Sequence, residues 1–566
     1  MPAGEASSCD PRINTRHWPL SRDCLVQAAA GLNWRTALQA AWPAALLACL
    51  MLVPFLHKAF TVDDGWFMAQ AEHVTRHPLQ PTNFDICWFA IEQCGKSWSM
   101  SPGQSLVAYL LMPSVLAGGA EWVAHLMELL CATVAIVSMA LIALRLGWDR
   151  HHARLAALLL VAIPPFLPVA STAMPDMPAL ALGLFGLERL LAWKTHGRVT
   201  AALAASLALG LSPFARPHYV ALLGLAFLCL IDEPRWSGVR EVLRPARLAP
   251  LVGALAVVAG TVWLARQGGG RMAPPRAMMR AAHFSTNLKA YLIYFVWPIP
   301  WAPLWAWLRR REKSFYLAAC ASTVLFLPVL MARGMAQSPA LWTLLAFAAM
   351  AAFGTAALFD AWFCAFRQRS AYLALLLAWM LMPAPAVLYL HMPVRYFAGT
   401  VPACILLLFE VFGKLPRRSL TTAAFAVAAI GILHSAMILH SDNDAAGMAR
   451  TAVRRLVAPR VAAGEGVWFS GQWGFRWYAG HAGAHECWPG KSDPAPGDLL
   501  VVGELEGAKH ALDRFPRRVL VDSLSFQCSC GRTLPPRGGL YSNWSTPLLW
   551  SWGSDELNRY EVWRIE

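Results

Sequence analysis

The stretch that decides the fold is the apolar run AWPAALLACLMLVPFLHKAF, residues 41–60, followed directly by TVDDGWFMAQAEHVTRHPLQP, residues 61–81. A run of about 20 mostly apolar residues is long enough to cross a membrane as a helix. Two adjacent carboxylates, Asp63 and Asp64, follow this run within a few residues, although only 14% of the chain is charged. The acid pair therefore lies at a predicted membrane surface, where it needs an explanation.

The composition of the whole chain is that of a polytopic membrane protein. Of its 566 residues 57% are hydrophobic, and the mean hydropathy is +0.44, which is too apolar for an ordinary soluble protein. The formal charge of +15 comes from Lys and Arg that gather in short loops between apolar runs. This is the pattern of cytoplasmic loops, and it does not indicate a nucleic-acid-binding surface.

Hydropathy predicts about thirteen spanning helices, with the polar segment 1–40 kept as a cytoplasmic N-terminus without a cleavable signal. The number of spans then leaves the C-terminus outside the cytoplasm. The predicted spans are residues 41–60, 122–144, 153–174, 176–193, 200–214, 217–231, 247–266, 289–308, 314–332, 339–362, 371–391, 395–413 and 419–440.

Two segments need a separate interpretation. The apolar stretch 101–119 would break the count of spans, so we place it as an interfacial helix within a first outer loop, residues 61–121. The stretch 200–231 is too long for one span and is interrupted by SPFARPH, which predicts two short helices that meet at Arg216.

The chain changes character after residue 440. Short β-type runs, GVWFS, DLLVVG and RRVLVDS, alternate with helical and turn segments, which predicts a small α/β domain over 441–566 on the periplasmic side. The fold class is thus an all-α membrane domain, residues 41–440, followed by an extracytoplasmic α/β domain. Five cysteines are predicted to be outside and could form disulfides: Cys87, Cys94, Cys487, Cys528 and Cys530. Cysteine spacing predicts no metal site.

Three acids, Asp63, Asp64 and Asp176, are predicted on the same outer face. Each could simply cap a helix N-terminus, since Asp satisfies free backbone N–H groups there. Arg216 and Arg395 lie at the same membrane edge, where either could extend its charged group to the interface. Ionisable groups at such positions are nevertheless candidates for function.

The order of these motifs resembles the membrane glycosyltransferases of the C-type fold (GT-C), specifically bacterial relatives of protein O-mannosyltransferases and of the lipid A aminoarabinose transferase, which are similar to glycosyltransferase family 39. The matching stretches are VDDGWFMAQAEHVTRHPLQP, MSPGQSLVAYLL, AMPDMPAL, LALGLSPFARPHYVALL and VRYFAGTVPACILL, and FSGQWGFRWYAGHAG resembles outer domains of bacterial members. The chain departs from the family at SMSPGQ, where His or Asn often precedes two prolines.

The resemblance implies an inverting transfer of a hexose or pentose from a polyprenyl phosphate, such as undecaprenyl phosphate, to a hydroxyl of an envelope lipid, glycan or protein. It implies that Asp63, preferred to its neighbour Asp64, is the general base, with Asp176 a further catalytic candidate. It also implies that the carrier phosphate binds to Arg216, Arg395, Tyr396, His73 and Arg76. No cofactor and no metal are expected, and the protein is expected in the bacterial inner membrane.

Two other classes of function fit parts of the pattern. A transporter or lipid flippase would also have many spans and broken helices, but we find no convincing internal repeat. A non-catalytic envelope scaffold is the third interpretation, and it predicts that Asp63 and Asp176 can be replaced without loss of function. The sequence does not identify the sugar, the acceptor or the length of the carrier.

Overall fold

The structure is a computed structural model, and the residues that it describes cover most of the chain. They are 19–29, 32, 34–89, 93–100, 104–232, 236–267, 283–294, 317, 320, 356, 359–360, 362–363, 366, 370–389, 391–412, 416–505, 509–534, 538–542, 550–554 and 556–566. The spans predicted at 314–332 and 339–362, apart from single residues, and most of the span at 289–308 lie outside the described residues.

In the first half of the chain the described elements are helices and one hairpin, β1 (Asp85–Phe89) and β2 (Gln93–Lys96). Short 3-10 segments cover Val53–Phe55 and Pro217–Val220. The helices are α1 (Arg22–Ala29), α2 (Trp34–Leu52), α3 (Asp64–Arg76), α4 (Ser97–Met100), α5 (Leu106–Leu116), α6 (Glu121–Arg145), α7 (Arg150–Ala162), α8 (Phe166–Ala170), α9 (Asp176–His196), α10 (Val199–Ala215), α11 (Ala221–Leu230), α12 (Trp236–Val242), α13 (Pro245–Gln267) and α14 (Phe284–Tyr294).

The second half begins with helices and ends with most of the strands. Its helices are α15 (Ala371–Met380), α16 (Val401–Phe412), α17 (Arg417–Ala452), α18 (Ala458–Ala462), α19 (Trp473–His481) and α20 (Lys509–Asp513), with 3-10 segments at Ala384–Leu388 and Val394–Thr400. Its strands are β3 (Val467–Ser470), β4 (His485–Glu486), β5 (Leu499–Gly503), β6 (Arg518–Gln527), β7 (Gly531–Arg532), β8 (Ser551–Trp552) and β9 (Glu556–Ile565).

Several described helices are long and apolar enough to cross a membrane. Five meet both conditions: Arg35–Phe55, Glu121–Arg145, Pro245–Gln267, Ala371–Leu388 and Arg417–Ala462. Helices α6 and α13 lie where the sequence predicts spans. Helix α2, which corresponds to the first predicted span, begins before residue 41 and ends before residue 60. Its earlier end leaves Lys58, although part of the apolar run, outside the helix in the connection to α3.

Proline residues lie at two helix breaks, one within a predicted span and one between two predicted short helices. The span at 153–174 is divided into α7 and α8, because Pro164 and Pro165 lie between them and cannot continue a helix. The predicted break at Arg216 is confirmed: α10 ends at Ala215, Arg216 has extended backbone angles, and a 3-10 turn follows. Helix α5 lies within the predicted segment 101–119, and its place in a membrane interface stays a prediction.

Small residues allow the central helices to pack closely. Helix α9 packs on α6 and α10, and α10 packs in turn on α13. Gly210 of α10 is one such contact, since a Cβ there would lie 2.7 Å from the Ala254 carbonyl oxygen and 2.7 Å from Val257. These helices carry Asp176 and Arg216 at their ends, so their close packing determines how near those two side chains lie.

The C-terminal segment contains a mixed five-stranded sheet with strand order β4-β3-β5-β9-β6. Strand β3 is parallel to β4 and β5, whereas β9 is antiparallel to β5 and β6. The runs GVWFS, DLLVVG and RRVLVDS contribute β3, β5 and β6. Helix α17 passes without a break through residue 441, our predicted domain boundary, because its last turns pack against α19 and β7 of this segment.

Candidate active site

The acid pair lies at the start of α3, directly after a strained residue. Val62 has a φ of +41°, which side chains rarely adopt outside functional sites or tight turns. Asp63 precedes the first turn, but its side chain does not cap the helix. The Asp64 carboxylate instead accepts a hydrogen bond from the Thr61 N–H at 3.0 Å. That N–H precedes the helix, so capping of the α3 N-terminus explains neither acid.

Arg395 connects the two acids that are distant in sequence. Its Nη2 lies 2.8 Å from the Asp63 Oδ2, and its Nε lies 3.6 Å from the Asp176 Oδ2. The Asp63 side chain retains 28% exposure, whereas those of Arg395 and Asp176 are almost fully buried. Arg395 begins the late 3-10 segment, so the structure brings the first outer loop, the start of α9 and a late helix to one point.

Arg216 holds Asp176 from the other side. Its Nε donates to the Asp176 Oδ1 at 2.8 Å, and its Nη2 contacts the second carboxylate oxygen, which makes the pair bidentate. The guanidinium carbon lies 4.9 Å from the centre of the Tyr396 ring. The pairing balances charge, because two carboxylates and two guanidinium groups sum to zero in a buried place where an unpaired charge would be costly.

A second polar group lies beside this cluster. Lys58 is buried and contacts the Asp442 Oδ2 at 2.5 Å and the Ser171 carbonyl oxygen at 3.1 Å. Asp64 is fully buried near this pair, and burial raises its pKa to about 7, although the neighbouring Lys58 charge opposes the shift. Its Oδ1 has no hydrogen-bond partner in the part of the chain that the structure describes. Asp64 is thus enclosed, whereas Asp63 remains partly accessible.

The sequence analysis did not single out several residues that lie at this site. Lys58, Asp442 and Tyr541 are buried together, and Glu128 of α6 is buried with no hydrogen-bond partner for either carboxyl oxygen among the described residues. Lys58 and Glu128 carry a usable signal, since each is an ionisable residue in or beside an apolar run. Asp442 directly follows the predicted span 419–440 and carries the same signal, whereas Tyr541 carries none, because only the folded chain brings it near Arg395.

Two of the predicted binding residues lie away from the acids. His73 packs against His77 and Phe84, with ring centres 4.7 and 5.3 Å apart, and burial lowers its pKa. Arg76 is exposed at the end of α3. A helix rises about 1.5 Å per residue, so Arg76 lies about 18 Å from the acid pair along the helix. The structure therefore brings together Asp63, Asp176, Arg216, Arg395 and Tyr396, and leaves His73 and Arg76 outside this group.

Two pairs of residues in the first outer loop are packed against or bonded to each other. Trp66 and Trp88 are buried against each other with ring centres 4.8 Å apart, so neither face is open to a sugar. Cys87 and Cys94 form a disulfide across the β1–β2 hairpin, as the predicted outer location allows. Among the described residues no group of three or more His, Cys, Asp or Glu side chains could hold a metal ion.

Comparison with known proteins gives similarities in structure only. No family model matches the chain, and no curated protein sequence matches it. A structure of ArnT from Cupriavidus metallidurans bound to undecaprenyl phosphate is 17% identical, with a TM-score of 0.46, and the alignment covers 85% of this chain and 96% of that one. AglB from Archaeoglobus fulgidus in complex with an inhibitory peptide and a dolichol-phosphate is 13% identical, with a TM-score of 0.44 and coverages of 84% and 71%.

A third similar structure is the Saccharomyces cerevisiae protein O-mannosyltransferase Pmt1-Pmt2 complex bound to the sugar donor. It is 12% identical, with a TM-score of 0.33, and the alignment covers 46% of this chain and 38% of that one. Protein O-mannosyltransferases are among the proteins that the sequence motifs resemble.

Proposed function

We propose that the protein transfers a sugar from a polyprenyl-phosphate carrier to an acceptor hydroxyl on the outer face of the inner membrane. The observation that carries this proposal is the buried group in which Arg395 joins Asp63 to Asp176. The group combines a partly accessible carboxylate with guanidinium groups at interrupted helix ends. These are the residue types that general-base catalysis and recognition of a lipid phosphate need.

The reaction that fits the site is a single displacement. The acceptor oxygen attacks the anomeric carbon, and the bond from that carbon to the phosphate oxygen breaks, so the lipid phosphate leaves with the electron pair. Asp63 takes the proton of the attacking hydroxyl, because its carboxylate is the accessible one of the adjacent pair. One displacement inverts the configuration at the anomeric carbon. Asp64 and Asp176 would hold the loop and the arginines in place.

The two arginines have different surroundings, which suggests different roles. The Nη1 of Arg395 donates to the Met174 Sδ at 3.0 Å, and a thioether is a weak acceptor that a phosphate oxygen could replace. Arg216 already uses two nitrogens on Asp176. We therefore assign Arg395 to the carrier phosphate and Arg216, with Tyr396 against it, to holding Asp176. Binding of phosphate by Arg216, His73 and Arg76 stays a prediction from sequence.

The test is a comparison of envelope composition. A deletion strain of the native host, complemented with the wild-type chain or with Asp63→Asn, is analysed by mass spectrometry of its lipids, glycans and glycoproteins. The wild type should restore one sugar modification. Asp63→Asn keeps the size of the side chain but cannot accept the proton, and loss of a general base costs about 10²- to 10⁴-fold in rate. The variant should therefore be present in the membrane and should restore almost none of the modification.

Glu72→Gln is the matched control, since it makes the same acid-to-amide change on the same helix outside the site. It should complement fully. If Asp63→Asn complements fully while Asp64→Asn or Asp176→Asn does not, another acid is the base. If all three amide variants complement fully, the proposed reaction is wrong, and the transporter or scaffold interpretation takes its place.

A further inference from the structure

One side chain of the C-terminal segment reaches into the candidate active site. Tyr541 is 4% exposed, and its hydroxyl donates to the Asp442 Oδ2 at 2.6 Å. The guanidinium carbon of Arg395 lies 5.5 Å from the centre of the Tyr541 ring. A segment more than 400 residues from Asp63 along the chain therefore contributes an aromatic face to the arginine that contacts Asp63.

The Tyr541 hydroxyl is held by a residue that has several further contacts. Asp442 of α17 accepts from the Thr533 hydroxyl at 3.0 Å and forms the ion pair with Lys58 at 2.5 Å. Next to it, the Ser441 hydroxyl accepts from the Trp550 indole at 2.8 Å. The Tyr541 hydroxyl is thus bonded to Asp442 of α17. Through Asp442 it is linked to Lys58, in the connection before α3, and to Thr533 of the C-terminal segment.

The position of Tyr541 complements the other contacts of Arg395. The edge of the guanidinium group is directed to Asp63, Asp176 and the Met174 sulfur, so its remaining surface is its flat face. An aromatic ring over that face attracts the cation and excludes water. A ring fixed through its hydroxyl also limits rotation of the guanidinium group, which determines where the donor hydrogens of Arg395 point.

We propose that Tyr541 is a positioning residue for Arg395, so that the C-terminal domain completes the active site. The role in transfer rests on the proposed function, whereas the positioning of Arg395 does not depend on it. The C-terminal segment then takes a direct part in forming the site, through the Tyr541 ring against Arg395.

The test measures Arg395 itself. Phenylglyoxal modifies accessible guanidinium groups, and mass spectrometry of peptides reports the rate of modification for each arginine in the purified full-length protein. We expect Tyr541→Ala to raise the rate at Arg395 about 30-fold, the size that corresponds to losing a buried cation–π contact. Tyr541→Phe keeps the ring and should raise it several-fold less. Arg145, buried against Glu188 at a distance from Tyr541, is the internal reference and should not change.

Tyr478→Phe is the control variant. It removes another tyrosine hydroxyl that joins the C-terminal segment to the first outer loop, through Phe60 and Glu121, without touching Arg395. It should leave the Arg395 rate unchanged. If Tyr541→Ala fails to fold, Tyr541→Leu, which keeps an apolar side chain without an aromatic face, replaces it with the same expected result.

The outcomes separate the two proposals. An unchanged Arg395 rate in a folded Tyr541→Ala or Tyr541→Leu variant would overturn the positioning role, as would an equal increase at Arg145 or in Tyr478→Phe. An increase confined to Arg395, together with a loss of the complemented sugar modification about as large, supports both proposals. The same increase with full complementation supports positioning and contradicts the role of Arg395 in transfer.

Discussion

Asp63 and Asp64 show how two neighbouring residues of the same type come to differ. Asp63 keeps 28% of its side chain exposed and contacts Arg395, whereas Asp64 is completely buried and bonded to the Thr61 N–H. Successive residues at a helix start point in directions about 100° apart, so one carboxylate faces the cluster and the other faces the interior. This difference is why we propose Asp63, and not Asp64, as the base.

Burial of Asp64 predicts a dependence of stability on pH. Its pKa is raised from 3.8 to about 7, so the folded protein retains a proton that the unfolded chain has lost between these values. Stability contributed by this group is therefore present below about pH 4, falls as the pH rises to about 7, and stays low above that. Asp64→Asn carries no such proton. The Tm of Asp64→Asn minus the Tm of the wild type should therefore increase as the pH rises from 5 to 8.

The measurement is thermal unfolding of the purified protein at several pH values in one detergent. Asp513→Asn replaces a carboxyl that is 78% exposed and is the control, which should follow the wild type at every pH. A difference between Asp64→Asn and wild type that stays constant from pH 5 to pH 8 would show that Asp64 does not bind its proton as the burial indicates.

At the scale of elements, helix α19 is the main contact between the C-terminal segment and the first outer loop. Gly474 lies so close to the loop that a Cβ there would be 1.9 Å from the Phe60 carbonyl oxygen, which is backbone and cannot turn away. Gly480, on the same helix, has nothing within 4 Å of such a Cβ. The two glycines are therefore a matched pair for testing whether this contact holds the domain in place.

Gly474→Ala should separate α19 from the loop. Overpacking costs about 1–3 kcal/mol, and more where backbone must move, so the Tm should fall and protease should release the C-terminal segment more readily. Gly480→Ala should be neutral or slightly stabilising, because alanine is the better helix former by about 0.5–1 kcal/mol. Equal behaviour of the two variants in both measurements would contradict the contact between α19 and Phe60.

Most residues of the candidate site lie at the ends of interrupted helices. Arg216 follows the end of α10, Arg395 lies in the 3-10 segment before α16, and Asp176 begins α9. Irregular backbone within a membrane protein is tolerated where it is buried in protein or lines a cavity. Proline residues near each of these ends made the breaks at Arg216 and Asp176 predictable from sequence, but not the distances between their side chains.

For the whole molecule, the arrangement across the membrane is the remaining prediction. Basic loops indicate a cytoplasmic N-terminus, and the Cys87–Cys94 disulfide fits an oxidising compartment for the first outer loop. The C-terminal segment contacts that loop directly, since Tyr478 bonds to the Phe60 N–H at 2.8 Å and to Glu121 at 2.6 Å. The two must therefore lie on the same side of the membrane.

A reporter that is active only in the cytoplasm, fused after Glu566, should be silent in the native host. The same reporter fused after Arg198, in the basic segment WKTHGR between two predicted spans, should be active and serves as the control. Activity of the fusion after Glu566 would place the acids on the cytoplasmic side, where the proposed carrier-linked donor in the outer leaflet could not reach them.

The sequence alone determined the helical membrane character and the break at Arg216, because run length and proline are local signals. The scarcity of charge and the resemblance also singled out candidate site residues, which were Asp63, Asp64, Asp176, Arg216, Arg395, Tyr396, His73 and Arg76. The choice of partners was decided only by the tertiary structure. Arg395 meets Asp63 across 332 residues, and Lys58 meets Asp442 across 384. No local pattern encodes such pairs, since they depend on how helices pack and on where the C-terminal domain docks. For the same reason His73 and Arg76, close to the acids in sequence, are separated from them by the length of a helix, whereas Tyr541 lies beside Arg395.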